Sequence, residues 1–182
     1  MIKIAVMLRP AIALVLWVVC VCGQQPSTTR TVFVSVTDPL NRFVTGLTRS
    51  HFGVTENGVA RPISSFVGVD EPMRIVVVGS AIPDVSLEGL TVMRASSVAE
   101  AVRQLAAAST VRKGIVVLDN VDAPVLPGIL SVRSDPAMLL KTIVQLANQY
   151  EIRFSSSDGS GPVSVTVDGR RSLPELKARV WR

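Results

Sequence analysis

Two short runs constrain this chain more than any other feature: Arg74-Ile-Val-Val-Val-Gly79 and Gly114-Ile-Val-Val-Leu-Asp119. Neither alternates apolar with polar residues, so each predicts a strand covered on both faces, the condition of a parallel sheet between helices. Leu90-Thr-Val-Met-Arg94 reads as a short strand between them. Ser96 or Ser97 caps a helix reaching about Ser109, with Val98, Ala101, Val102 and Leu105 on one face. Asp135-Pro136 starts a second helix, because a carboxylate satisfies free N–H groups and proline suits the first helical position. The apolar stripe of that helix is Leu139, Leu140, Ile143, Val144 and Ala147. Strand, helix, strand, helix, strand in this order implies parallel pairing through right-handed crossovers, an α/β layer structure.

The flanks have a different character. Thr31-Val-Phe-Val-Ser-Val-Thr37 alternates and is broken by Asp38-Pro39, a half-buried strand and its turn. A second strand over Phe52 to Thr55, a tight turn at Glu56-Asn57-Gly58 and a return over Ala60 to Val67 make a hairpin. Residues 31–68 therefore predict a small antiparallel β unit, with Asp70-Glu71-Pro72 as the boundary before an α/β domain over 74–182. Tyr150 to Phe154, Val163 to Val167 and Leu176 to Trp181 alternate again and read as antiparallel strands added at the edge of that domain's sheet.

Residues 1–23 carry Lys3 and Arg9, no acid, and the uncharged run Ala11 to Cys22 closed by Gly23, the layout of a secretory signal peptide. An uncleaved anchor is the competing reading, but twelve apolar residues fall short of the roughly 20 that cross a bilayer. Residues 24–30 are polar and unpatterned, a disordered N-terminal tail of the exported chain. Both cysteines, Cys20 and Cys22, leave with the signal, so the periplasmic or extracellular protein has to hold together by its core. Cleavage lowers the formal charge from +5 to +3, with 17 Lys and Arg against 14 Asp and Glu. The basic residues are scattered and few aromatics stand between them, which argues against nucleic-acid binding.

Val36-Thr37-Asp38, Val44-Thr45-Gly46-Leu47-Thr48, Phe52, Val54, Glu56-Asn57-Gly58, Pro62-Ile63 and Phe66 together resemble the leader region of the von Willebrand factor type A-related (VWFA-related) family of exported bacterial proteins. Ser96 to Val102, Arg112 to Leu118 and Asn148-Gln149-Tyr150 are similar to later landmarks of that family. The resemblance implies a reduced von Willebrand factor A-like, Rossmann-like sheet with flanking helices, preceded by the antiparallel unit. It also implies adhesion to another protein. The family's metal-ion-dependent adhesion site takes Asp-x-Ser-x-Ser from a first loop, Thr from a second and Asp from a third, an oxygen set suited to a hard divalent cation.

Here the first loop aligns as Gly79-Ser80-Ala81-Ile82-Pro83, which removes three of those ligands together. The expected function is accordingly protein binding or adhesion without a metal or other cofactor. The alternative is a rearranged metal site using Asp84, Ser97 and Asp119, with Asp122 in reserve. Asp119 and Asp122 draw attention because loops at the carboxyl ends of parallel strands bind ligands, although capping or simple solvation is the better account of such residues. A further alternative, an exported hydrolase using His51 or the aspartates, has no G-x-S-x-G motif to present a serine. Glu56 and Asp38 are read as turn residues, and Trp181 as an edge-packing residue. Only about ten residues separate the first strand from Leu90, so a full helix is missing there. This predicts an unpaired sheet face and leaves self-association open.

Overall fold

The computed structural model describes residues 28–79, 85, 87, 90–110, 112–118, 122–156, 159–168 and 176–181. The signal segment, Asp84 and Asp119 lie outside them. The chain is mixed α/β, with a parallel four-stranded sheet flanked by helices in a Rossmann-like layout, next to two antiparallel sheets.

The antiparallel part begins with β1 (Thr28–Thr37), β2 (Phe52–Glu56), β3 (Val59–Arg61) and β4 (Ile63–Val67). Asn57 and Gly58 both have positive φ, 52° and 77°, the backbone that closes a two-residue hairpin between β2 and β3. The expected continuous return strand is interrupted at Pro62. Lacking an N–H, proline cannot continue the ladder, and the chain passes there from the sheet holding β3 to the one holding β4. The tail expectation for 24–30 is corrected in part: Thr28 and Thr29 pair with Ser156 and Ser155, so β1 starts at Thr28.

The parallel sheet consists of β5 (Met73–Val78), β6 (Leu90–Ala95), β7 (Arg112–Val117) and β8 (Leu130–Arg133), in the order β6-β5-β7-β8. Ile75, Val76, Val77, Ile115, Val116 and Val117 are fully buried, as the two uninterrupted runs require. Alternate residues serve opposite faces. Val76, Val78, Ile115 and Val117 meet α1 (Val98–Ala106) through Ala101 and Leu105. Ile75, Val77 and Val116 meet α2 (Leu139–Ala147) through Leu139, Ile143 and Leu146. Both faces of β5 and β7 are covered, with Leu126 and Ile129 adding to the α1 side, while Leu90 and Val92 of β6, beside the missing helix, are only half-buried on the α2 side. Asp135 does cap the second helix, its carboxylate accepting from the Ala137 N–H, but the first turn, Pro136–Met138, is a 3-10 turn.

The largest departure concerns residues 150–181. β9 (Tyr150–Ser156), β10 (Val163–Val167) and β11 (Lys177–Trp181) do not extend the parallel sheet. β9 lies between β1 and β4, β11 pairs with the other edge of β1, and β10 pairs with β2. The resulting sheets, β11-β1-β9-β4 and β10-β2-β3, share one core of Val32, Val34, Val36, Phe52, Val54, Tyr150, Ile152 and Phe154. The expected 74–182 domain thus divides. Residues 73–147 form the α/β unit, inserted into a sandwich made of 28–67 and 150–181. On the other side of β1, half-buried Phe33 packs with Trp181 onto the α2 face of the parallel sheet.

Arg112 joins the two parts. Its guanidinium, on a residue 5% exposed, donates to the carbonyls of Val69 (2.8 Å) and Glu71 (3.2 Å) on the segment leading in. It also donates to those of Leu146 (3.4 Å), Ala147 (2.6 Å) and Gln149 (3.0 Å) on the segment leading out. Replacing Arg112 with Met leaves these carbonyls without their donor and should destabilise the protein by about 3 kcal/mol or more. Arg112→Lys should recover only part of this loss, because an ammonium cannot fork between two segments. Urea unfolding of the variants measures both.

Candidate functional site

The carboxyl ends of β5, β6 and β7 converge where sheets of this kind hold ligands. Gly79 donates its N–H to the Ala95 carbonyl (3.3 Å), and the Leu118 N–H donates to Val78 (2.9 Å), so the three strand ends stay in register. At position 79, where the resembling family has its first aspartate, a Cβ would stand 3.1 Å from the Cβ of Leu118 and 3.5 Å from its Cδ1. The seat for a carboxylate stem is thus crowded by an apolar side chain.

Ser97, at the head of α1, has its hydroxyl engaged: Oγ accepts from the Glu100 N–H at 3.3 Å. Glu100 answers by accepting from the N–H and the hydroxyl of Ser96, at 2.8 and 2.7 Å. These bonds hold the Glu100 carboxyl below its ordinary pKa, the Ser96 hydroxyl contributing most. Asp122 is fully exposed and, among the described residues, reaches Arg133 at 3.9 Å, a surface pair of little energetic weight. Of the expected ligands, Ser97 is used as a helix cap and Asp122 points to solvent. Among the described residues, no three His, Cys, Asp or Glu side chains gather as a metal-binding group.

His51 closes a 3-10 turn, with Nδ1 within hydrogen-bonding distance of the Thr48 N–H (3.0 Å) and hydroxyl (2.9 Å). The ring is tied into its own turn. Asp38 holds its turn as expected, accepting from the N–H groups of Leu40 and Arg42, each at 2.9 Å, and from the Arg42 side chain. Trp181 packs at the edge as expected, donates to the Ser35 hydroxyl at 3.0 Å and carries the Arg179 guanidinium 4.3 Å above its ring.

Glu56 differs from its reading as a turn residue. Its side chain is fully buried, ion-paired with Arg30 at 3.0 Å and Arg61 at 3.2 Å, and hydrogen-bonded by the Ser156 hydroxyl at 2.5 Å. The signal was its parity: in β2, Phe52, Val54 and Glu56 share the inward face, so the acid follows two core residues. Tyr150 is another inward polar group. Its hydroxyl donates to the Val44 carbonyl (2.9 Å) and accepts from the Leu47 N–H (3.2 Å), pinning the β1–β2 connection to β9. Burial raises the pKa of that phenol.

No family model, curated protein or solved structure matches the chain.

Two outcomes follow from this geometry. Glu56→Ala leaves Arg30 and Arg61 facing a buried gap and should cost about 3–5 kcal/mol in urea unfolding. Glu100, whose folded pKa is depressed, stabilises the α1 cap above its ordinary value of 4.5, and that contribution fades as pH falls through the folded value. The stability difference between the wild type and Glu100→Gln should therefore shrink as pH is lowered from 7 into that acid range.

Proposed function

We propose that this is an exported protein-binding or adhesion module of the von Willebrand factor A type, whose strand-end site works without a metal. The observation that carries the metal-free part is the crowding of position 79 by Leu118. A divalent ion held by oxygen ligands needs carboxylate charge to offset its desolvation, and the first loop offers Gly79, Ala81 and Pro83 in place of ligands. The capping role of Ser97 supports the same reading, because its oxygen already receives an N–H.

Export rests on the pattern of residues 1–23. No helix among the described residues is long and apolar enough to cross a membrane. The binding assignment draws on the layout of a parallel sheet carried beside a sandwich and on the resemblance of residues 32–68. A hydrolase reading gains nothing from His51, whose ring serves its own turn.

The test is thermal. A ligand at a hundred times its dissociation constant adds about 2.7 kcal/mol to the native state, several degrees for a protein of this size. Millimolar magnesium or manganese should leave the melting temperature unchanged, and a clear upward shift would sink the metal-free reading. Asp119→Ala should likewise leave partner capture as it is in the wild type.

A further inference from the structure

A small cavity of about 10 Å³ lies where the sandwich meets the α/β unit, beside the joint that Arg112 holds. Phe33 of β1 and Glu151 of β9 line it from the sandwich, and Met73, Arg112 and Leu146 line it from the α/β unit. Gln149, on the segment that leads from α2 into β9, completes the wall. One water needs roughly 10–15 Å³ of such space, so the cavity admits a single water and nothing larger.

The polar atoms on this wall are not all satisfied. Gln149 is only 3% exposed, and its main-chain carbonyl accepts from Arg112 at 3.0 Å. Its side-chain carbonyl oxygen, Oε1, is buried and has no hydrogen-bond partner among the described residues. Buried polar atoms of native proteins nearly always have a partner, because an unpaired one forfeits the bonds it makes to water in the unfolded chain. Glu151, 2% exposed, spends its Oε1 on Arg153, at 2.7 Å from Nε and 2.6 Å from Nη2. No hydrogen bond or ion pair among the described residues takes its Oε2. Arg112 retains an Nε–H that none of its five carbonyl bonds uses.

Charge narrows the choice of occupant. A cation would sit beside Arg112 and Lys113, which also lines the space, and an anion would face the Glu151 carboxylate and the Gln149 oxygen, both of them acceptors. A neutral molecule that donates and accepts at once meets neither objection.

We propose that one structural water occupies this cavity, donating one hydrogen to Gln149 Oε1 and the other to the Glu151 carboxylate. Glu151 belongs to the sandwich and Gln149 to the segment that joins it to α2, so the water is a second fastening next to Arg112. Walled by Phe33, Met73 and Leu146, it exchanges with solvent slowly, when the joint opens. The site is separate from the strand-end loops and needs no binding partner.

The experiment pairs a crystal structure of the exported protein, at a resolution that shows ordered solvent, with Overhauser spectra that detect long-lived water in solution. The crystal should show a water about 2.5–3.0 Å from Gln149 Oε1, and the methyl groups of Met73 and Leu146 should show a contact to slowly exchanging water. Gln149→Met removes the acceptor at nearly constant side-chain length, and both signals should vanish. A wild-type cavity without density and without a water contact overturns the proposal, whether or not the variant folds. A water that stays in place in Gln149→Met overturns it too, since the Gln149 oxygen would then not be what holds it.

Discussion

One buried guanidinium decides whether this chain is two objects or one. Arg112 stands at the start of β7 and reaches the carbonyls on both segments that connect the α/β unit with the sandwich. Two strands of chain that leave and re-enter a domain could splay, and five carbonyl groups near a buried joint would each lack a donor. A planar, permanently charged fork answers both needs, because one side chain satisfies acceptors from two directions. Burial depresses the pKa of Arg112, and Glu151 is the main charge opposing that effect. The apolar contact of Phe33 and Trp181 with the α2 face then has a fixed partner to pack against.

The sandwich uses the same strategy in reverse, placing ion pairs where a core would ordinarily be apolar. Glu56 is tolerable inside only because Arg30, Arg61 and Ser156 surround it, and these come from three separate strands. Such a network adds little to stability compared with apolar residues of similar size, but breaking it leaves uncompensated charge. Its effect here is to tie β1, β2, β3 and β9 together in one arrangement.

Local patterns were readable wherever local physics suffices. The β-branched runs identified β5 and β7, the capping residues Ser97 and Asp135 marked the helix starts, and Asn57-Gly58 marked the hairpin. Strand pairing was not readable, since alternation in Tyr150 to Phe154 says that a strand has one covered face and says nothing of which sheet covers it. β8 escaped notice because Leu130-Ser-Val-Arg133 is only four residues long and follows a proline-rich stretch. At the strand ends Gly79 was visible as a residue type, whereas the approach of Leu118 to it depends on how two strand ends meet.

The pairing of β1 with β9 and β11 has a temporal consequence. Leu47 and Tyr150, which share a hydrogen bond, are 103 positions apart, so a chain delivered from its amino end cannot close its first sheet until long after β1 has emerged. The central α/β unit, built from neighbouring segments, can form while β1 waits unpaired. Closing so large a loop is slow, and an unpaired strand invites wrong partners in the meantime. Keeping β1 from wrong pairings until β9 arrives is the problem this topology sets for the folding chain.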